Sequence, residues 1–412
     1  MPIYKNIVIG SGPIGFHVFK KISNNSILIT GETKNKISSS KIHPKVRVCL
    51  KKKTNKFSDL IYSKKNDFSI YSSSEIGGLT NYWGGQFFNY TENDNWPKKI
   101  FQKFSLYKKH LKLIDKTYPS LQSKNLVKKT IKNLCVNSFS PPLINYTIVK
   151  KTNLEKNYKK KLIHDRVIYF KKIKKNLIEV VTIKKKFYCK NLILCAGPIG
   201  NALILLRSIS SIKSLKFNDD NPRLIFGLKW YTKKNLILKN RKLFDTEISE
   251  RKKTIIYGTI FSFNPEHFNS FFKPVINLVK NILDKIFFYG IFWVNGEYNQ
   301  ITISLKNDKI KLSGNKINFI KDKLDMISNL IKINLKVLKV WNLRYAYGFH
   351  YHNLQVNYKN KFISLNTFLK KMKLKKNIYC FDSSVIDKIG NKPPTKTYLA
   401  TANYLVEKII NH

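Results

Sequence analysis

The sequence predicts an α/β fold in which a parallel, helix-flanked sheet is joined to an α+β unit whose sheet is mostly antiparallel. Residues 5–30 open the chain with a strand, helix and strand pattern. A buried-strand pattern followed by small residues and a helix comes back at 191–208, and strand, loop and helix follow again at 376–412. Between these segments, 220–345 mixes strand and helix patterns. A first domain assembled from distant segments, with a second unit between them, accounts for this order.

The same pattern divides the chain into parts. We expect 1–97 with 166–215 and 376–412 to form the discontinuous first domain, 98–165 to form a helical insertion, and 216–375 to form the second unit. Within the second unit, helices are expected around 269–288 and 316–340.

The chain has 412 residues, 43% of them hydrophobic, and a formal net charge of +53. Only seven of the 77 basic residues are Arg, and the Lys residues occur along most of the chain. This distribution favours a solvated Lys surface, although attraction to nucleic acid or to an anionic membrane is the alternative. No nucleic-acid-binding motif is present in the sequence, so no specific nucleic-acid partner is expected.

The cysteines and the hydropathy of the chain indicate the cellular compartment in which we expect the protein. Five cysteines occur without CxxC pairs, which argues against a disulfide framework or a metal site and favours the cytoplasm. The N-terminal strand pattern leaves no room for a signal peptide. The most apolar stretch, 286–294, has nine residues, and a membrane span needs about 20. We expect this stretch to be part of the second unit; peripheral contact with the inner membrane face stays open.

The first motif is residues 10–15 (GSGPIG), between the first strand and the first helix. Gly10 permits the tight turn, Gly12 lets a pyrophosphate approach the backbone, and Gly15 allows close helix–strand packing. Glu32 follows the second strand, where an acidic residue binds ribose hydroxyls. A glycine-rich turn in an ordinary α/β protein is the simpler alternative. The complete unit predicts a Rossmann-like dinucleotide site.

Three further segments are rich in small or helix-starting residues. They are 77–85 (GGLTNYWGG), 193–200 (ILCAGPIG) and the tail, where Asp382 follows a strand and 393–395 (PPT) precedes a helix. Glycine pairs let a backbone lie against a flat ligand. Alone, 77–85 could be a buried β-corner, and 193–200 could be a plain strand–turn–helix.

Taken in this order, the motifs resemble the glucose–methanol–choline (GMC) oxidoreductase family, and in particular its divergent bacterial, sugar- or glycan-related members. The resemblance implies bound FAD in the Rossmann-like domain and an antiparallel substrate domain. It further implies that the ADP half is held by Gly10, Gly12, Gly15 and Glu32, that the flavin is lined by Gly78, Asn81, Gly84 and Gly85, and that Ala196, Gly197, Asp382 and Thr395 complete the cofactor site.

The family's catalytic base is a histidine in an HxxG segment. Here His350 matches it, with Asn353 where glycine is usual and His352 as the second choice. A histidine titrates near neutral pH and suits removal of a hydroxyl proton, but a buried structural histidine is the alternative. The tail departs from the family, because Pro393 stands where His or Asn is usual. A second catalytic group is then missing unless Asn391 or Lys392 replaces it.

These expectations lead to two functions of different classes. The first is an FAD-dependent oxidoreductase that oxidises a CH–OH group of a small molecule, by analogy a sugar or glycan precursor, with an unidentified electron acceptor. The second is a non-catalytic flavin-binding scaffold, which Pro393 favours. Redox-neutral chemistry on a sugar nucleotide with reduced flavin is a weaker third interpretation.

Overall fold

The computed structural model describes residues 2–31, 60–61, 76–82, 85–131, 134–140, 142–144, 151–220, 223–229, 243–250, 253–262, 282, 286–294, 298–306, 309–314, 335–342 and 350–410. Element labels below number the helices and strands of these ranges in chain order.

The first sheet contains the N-terminal strand at its centre and runs in the order β6-β2-β1-β9-β8-β7, with β20 beside the second half of β9. Its strands are β1 (Ile3–Ile9), β2 (Ser26–Thr30), β6 (Leu162–His164), β7 (Val167–Lys174), β8 (Leu177–Thr182), β9 (Lys186–Leu194) and β20 (Ile378–Cys380). The pairs from β6 through β2 and β1 to β9 are parallel, as is β9 with β20. The β7–β8–β9 pairs are antiparallel.

Helices pack on both faces of this sheet. The described helices are α1 (Pro13–Lys21), α2 (Lys98–Phe101), α3 (Phe104–Thr117), α4 (Lys151–Tyr158), α5 (Gly197–Ser208), α6 (Leu365–Lys371) and α7 (Thr395–Ile410). Along the central strand, Val8 belongs to the core that includes residues of α1 and α7, whereas Ile7 and Ile9 belong to the core that includes α5. Because successive side chains of a strand point to opposite faces, a continuous apolar run buries both faces of the sheet.

The second sheet runs in the order β19-β18-β10-β15-β16-β3 and is antiparallel except where β16 meets β3. Its strands are β3 (Leu60–Ile61), β10 (Ser214–Asp220), β15 (Tyr298–Lys306), β16 (Lys309–Gly314), β18 (His352–Tyr358) and β19 (Lys361–Ser364). Helix α5 contacts β7 of the first sheet and β10, β15 and β18 of the second. This packing brings the end of β10 and the start of β18 close to the first domain.

The third sheet is antiparallel throughout and runs in the order β17-β11-β14-β13-β12-β5-β4. Its strands are β4 (Lys124–Ile131), β5 (Leu134–Ser140), β11 (Arg223–Lys229), β12 (Leu243–Glu250), β13 (Lys253–Ser262), β14 (Phe287–Val294) and β17 (Leu335–Asn342). The buried Phe292 ring fills the space over Gly258, where an added Cβ would lie 2.1 Å from the ring. A side chain at that position would therefore displace the aromatic core of this sheet.

The predicted α/β class, with an antiparallel second unit, is confirmed. Two parts of the prediction were wrong. Within the supposed helical insertion, residues 124–140 form β4 and β5, which extend the third sheet. The ends of the two expected helices, 287–288 and 335–340, lie in β14 and β17, while 263–281 and 315–334 lie outside the described residues. Pairing partners across the sheet decided these states, and such partners leave no local signal.

The apolar stretch 286–294 supplies β14, which lies between β11 and β13 in the third sheet. Five of its residues in succession are buried. No helix in the described ranges is long and apolar enough to cross a membrane.

Candidate cofactor and active site

The loop after β1 has the conformation that its glycines predict. Gly10 has φ +101°, and an added Cβ would lie 2.4 Å from the Cys195 carbonyl oxygen. A Cβ at Gly15 would lie 1.9 Å from the Gly10 carbonyl oxygen, so this glycine holds helix α1 against the strand. Gly12 is different, since a Cβ there would meet no atom within 4 Å. Gly10 and Gly15 are therefore required by packing, whereas Gly12 borders open space.

The second glycine segment lies directly on this loop. The Gly77 backbone N–H donates to the Ser11 carbonyl oxygen at 2.9 Å, and a Cβ on Gly78 would lie 3.5 Å from the Gly12 Cα. The backbone of Asn81 is in the 3-10 turn Gly78–Tyr82. Gly84 lies outside the described residues. Gly85 has φ +72° and its carbonyl accepts from Ile144 N–H at 3.0 Å, so it contributes a turn beside the site.

The third segment forms the start of α5 and is held by the tail. The Gly197 N–H donates to Asp382 Oδ2 at 2.7 Å, and Asn201 Nδ2 donates to the same oxygen at 2.9 Å. The other carboxylate oxygen accepts from Ser384 N–H at 2.9 Å. Burial raises the pKa of Asp382, although the hydrogen bonds from Ser384 and Gly197 oppose the shift. Asp382 thus joins β20 to the N-terminus of α5 and has both oxygens engaged.

The start of α7 is fixed by the long aromatic segment that precedes α2. Tyr90 is buried, and its hydroxyl lies 2.8 Å from the Lys392 carbonyl oxygen and 3.2 Å from that of Gly390. The Tyr107 hydroxyl is 2.7 Å from Thr397 Oγ1. These contacts hold the chain on both sides of 393–395, so the helix start has a defined position.

A cavity of about 290 Å³ lies where these segments meet. Three helices of the described part begin at its wall, because it is lined by Gly12 and Pro13 of α1, by Ala196 and Gly197 of α5, and by Thr395 of α7. No side chain caps α1 or α5 at the N-cap. Unpaired N–H groups and the positive end of a helix dipole favour an anion at such a position.

Toward the end of β2 the cavity wall contains both apolar and charged side chains, the latter including Arg166. Its wall there includes Ile29, Gly31, Val167 and Leu203. Glu32 follows Gly31 in the sequence but lies outside the described residues, so its predicted ribose contact stays a prediction. Sequence reasoning missed Asp165 at this end, whose N–H donates to the Thr30 carbonyl at 2.9 Å. Because β6 runs parallel to β2, the residue after β6 reaches the same edge of the sheet.

Tyr398, in the first turn of α7, also lines the cavity and was not predicted. It is 8% exposed, and its hydroxyl has no hydrogen-bond partner in the part of the chain that the structure describes. Burial raises the pKa of this phenol, and the negative charge of Asp220 adds to the shift. A buried hydroxyl without a partner is uncommon in folded proteins and marks a place where a ligand can bind.

His350 lies immediately before β18 and is paired with Asp220 at the end of β10. The distance from His350 Nδ1 to Asp220 Oδ2 is 2.8 Å. The Trp293 ring stacks on the imidazole with centroids 5.5 Å apart. Tyr351, the next residue, lines the cavity. His350 itself does not line the cavity, although the adjacent Tyr351 does, and it has a carboxylate partner that the sequence analysis did not identify.

His352 is fully buried and is bonded differently. Its Nδ1 donates to the His350 carbonyl oxygen at 2.9 Å, and its Nε2 has no hydrogen-bond partner among the described residues. Burial lowers the pKa of His352. The neutral imidazole therefore helps to hold the backbone at His350.

Asn353 has φ +57°, in the left-handed region. Glycine is the residue best suited to that region, and Asn tolerates it better than most others. The Asn at position 353 is therefore compatible with the left-handed backbone that follows β18's first residue.

The two residues that could replace the group missing at Pro393 have different surroundings. Lys392 is buried, and its Nζ lies 3.1 Å from Glu247 Oε1 and 3.4 Å from Asp94 Oδ2. Asn391 donates to the Trp293 carbonyl oxygen at 3.4 Å, and its own Oδ1 has no partner within the described ranges. Since Trp293 stacks on His350, Asn391 is the better placed of the two, whereas the Lys392 charge is already neutralised by carboxylates.

The signal that could have identified Asp220 is compositional. Only 24 residues of the chain are acidic, yet Asp219 and Asp220 stand together at the end of strand β10, whose sequence is SLKFNDD. Both side chains are buried. Buried carboxylates are rare unless they are paired, so a pair of them indicates a site.

Comparison with known proteins gives a likeness of fold. No family model matches the chain, and no curated protein matches it either. Among solved structures, pyridoxine 4-oxidase from Mesorbium loti is similar over 99% of this chain and 99% of its own, with a TM-score of 0.57 and 11% sequence identity. At this identity the likeness establishes the fold alone.

Proposed function

We propose that this chain is an FAD-dependent oxidoreductase of the GMC type that oxidises a CH–OH group, with a sugar or glycan precursor as the substrate class. The observation that carries the proposal is the meeting of three helix N-termini and two glycine segments at one cavity, next to the His350–Asp220 pair. The solved structure of similar fold is named as an oxidase of pyridoxine, itself a small hydroxyl compound.

The cavity wall fits a flavin dinucleotide. The uncapped start of α1 suits the pyrophosphate, and the open space at Gly12 leaves room for it, whereas the first N–H of α5 is already bonded to Asp382. The apolar wall at Ile29 and Val167 suits the adenine ring. Tyr398 would donate its free hydroxyl to the bound cofactor. FAD would supply the acceptor for the hydride that leaves the hydroxyl-bearing carbon.

The chain's own part in the reaction is proton removal. His350 would accept the hydroxyl proton at Nε2, because Nδ1 is engaged with Asp220. Asn391 would supply the second polar contact in place of the side chain that Pro393 lacks. The Trp293 ring and buried His352 pack around His350 and keep bulk water from the imidazole.

A non-catalytic flavin-binding protein is the second candidate, and Pro393 is the observation in its favour. A proline has no side-chain donor or acceptor. In that case the cavity would still hold FAD, while no hydroxyl compound would reduce it.

The first test is the absorbance spectrum of the purified protein. We expect flavin bands at about one FAD per chain and bleaching by dithionite, followed by bleaching with a hydroxyl substrate. Gly12→Val should remove FAD and leave the fold intact, because φ is −61° there and the Cβ meets no protein atom within 4 Å. Gly15→Val is the contrasting variant and should fail to fold, since the Gly10 oxygen already occupies that space.

The possible results distinguish the two proposed functions, the FAD-dependent oxidoreductase and the non-catalytic flavin-binding protein. A folded, colourless protein that takes up no added FAD would overturn both functions. FAD that is reduced by dithionite, but by none of a panel of alcohols and aldoses, would favour the non-catalytic protein. A folded Gly12→Val variant with full FAD would show that the cofactor lies elsewhere.

A further inference from the structure

The contact between His350 and Asp220 joins two segments that are far apart in the sequence. His350 Nδ1 lies 2.8 Å from Asp220 Oδ2, and the side chains are 15% and 5% exposed. A carboxylate buried to this degree accepts strong hydrogen bonds, since few waters compete for it. The two side chains are therefore paired in the protein interior and not on the solvent-exposed surface.

This contact determines which nitrogen of the neutral imidazole carries the proton. A carboxylate accepts hydrogen bonds, so Nδ1 must be the protonated nitrogen. The lone pair of the neutral ring is then on Nε2. Only an unprotonated nitrogen can accept a proton from a hydroxyl group.

The ring is held in orientation as well as in tautomer. Trp293 stacks on the imidazole with an interplanar angle of 23°, and His352 Nδ1 holds the His350 carbonyl at 2.9 Å. The hydrogen bond to Asp220 fixes rotation of the ring within the plane that Trp293 defines. His352 has no carboxylate partner of this kind, since its Nδ1 is bonded to a backbone oxygen.

We propose that Asp220 is the positioning residue of the active site, which holds His350 as the Nδ1–H tautomer and selects it over His352 as the base. The role in turnover rests on the proposed function, whereas the tautomer does not. Asp220 acts through His350 and has no direct part in the reaction.

The first measurement is made without substrate. In ¹⁵N-histidine-labelled protein, with His350→Gln to assign the signal, we expect neutral wild-type His350 to carry its proton on Nδ1. In Asp220→Leu the ring loses the carboxylate that accepts from Nδ1, so the fraction of the Nδ1–H tautomer should fall. A wild-type His350 protonated on Nε2, or an unchanged tautomer in Asp220→Leu, would overturn the proposal. The tautomer of wild-type His350 tests the proposal even if the variant does not fold.

The second measurement is the rate of flavin reduction, with pyridoxine and D-glucose as hydroxyl probes. Asp220→Asn should retain FAD and lose about 10²-fold or more in rate, as should His350→Ala. The double variant should be no slower than the slower single variant, because both remove the same function. If the fold-losses in rate of the two single variants multiply in the double variant, Asp220 has a separate, structural role.

Glu179→Gln is the matched control. This carboxylate is also buried and accepts from the Tyr188 hydroxyl at 3.0 Å, but it lies on β8 of the first sheet. Its replacement should leave the tautomer of His350 and the reduction rate unchanged. If neither probe reduces the flavin, the proposed substrate class fails, while the tautomer measurement still decides the role of Asp220.

Discussion

Asp382 and Tyr398 both line the cavity, yet their polar atoms differ in what they contact. The Asp382 oxygens accept from the Gly197 and Ser384 backbone N–H groups, so this residue stabilises the backbone of the cavity wall. The Tyr398 hydroxyl has no partner among the described residues and is free to bind a ligand. A buried polar atom that has no partner costs about 1–3 kcal/mol, which a bound ligand can recover.

Tyr398→Phe tests this difference with the loss of one oxygen atom. We expect the apoprotein to bind FAD about five- to tenfold more weakly, because one hydrogen bond contributes about 1 kcal/mol. Flavin fluorescence during titration of the apoprotein measures the affinity. Tyr188→Phe is the control, since its hydroxyl donates to Glu179 Oε2 and it does not line the cavity. Equal affinity for Tyr398→Phe and wild type would contradict the assigned contact.

At the scale of elements, helices α1, α3 and α7 are joined behind the cavity by a buried polar network. His17 Nε2 donates to Asn403 Oδ1 at 3.1 Å, and Asn403 Nδ2 lies 2.8 Å from His110 Nδ1. The Tyr118 hydroxyl is 3.1 Å from His17 Nδ1. Because α1 and α7 both begin at the cavity wall, this network fixes where their N-termini point.

The network makes stability depend on pH. Burial lowers the pKa of His17 from 6.5 to about 4, and burial also lowers the pKa of His110. The unfolded chain therefore binds a proton on His17 that the folded chain does not bind between these values, and stability is lost as pH falls below about 6.5. For His17 alone we expect a loss of about 2 kcal/mol between about pH 7 and pH 5.

Urea unfolding at several pH values measures this loss. His17→Gln should be less sensitive to acid than the wild type, whatever its stability at neutral pH. An identical dependence on pH in the two proteins would show that His17 titrates alike in the folded and unfolded states.

At the scale of the whole molecule, the charge of +53 contrasts with the candidate site. The acidic side chains Asp94, Asp219, Asp220 and Asp382 are all buried, whereas Lys side chains dominate the exposed positions of the described residues. The excess charge is therefore a property of the surface. Peripheral contact with anionic lipid remains a proposal that this surface suits.

A Lys-rich surface predicts weak, non-selective binding to polyanions. We expect affinity for duplex DNA to be independent of base sequence and to fall by about 10³-fold or more between about 50 and 200 mM salt, as counterion release requires. Fluorescence anisotropy with two unrelated duplexes measures both properties. Tight binding to one duplex that persists at high salt would show a dedicated nucleic-acid site.

The amino-acid sequence alone determined the strand–helix–strand unit at the start of the chain and its glycine turn. Strand β2 has the predicted bounds, 26–30, and the glycines at 10 and 15 make the close contacts that their spacing predicts. These features depend on neighbours within a few residues, such as a continuous apolar run or a turn that only glycine fits. Local patterns of this kind are fully present in the sequence.

Only the tertiary structure decided which strands complete the third sheet and what His350 contacts. Strand β5 formed because β12 is its partner, and β4 because it pairs with β5. Asp220 meets His350 across 130 residues because β10 pairs with β18. The Tyr398 hydroxyl faces the cavity only because α7 packs against α1 and α3. Such contacts join residues that are distant along the chain. They form only when the sheets and helices pack together, so no local periodicity or spacing in the sequence predicts them.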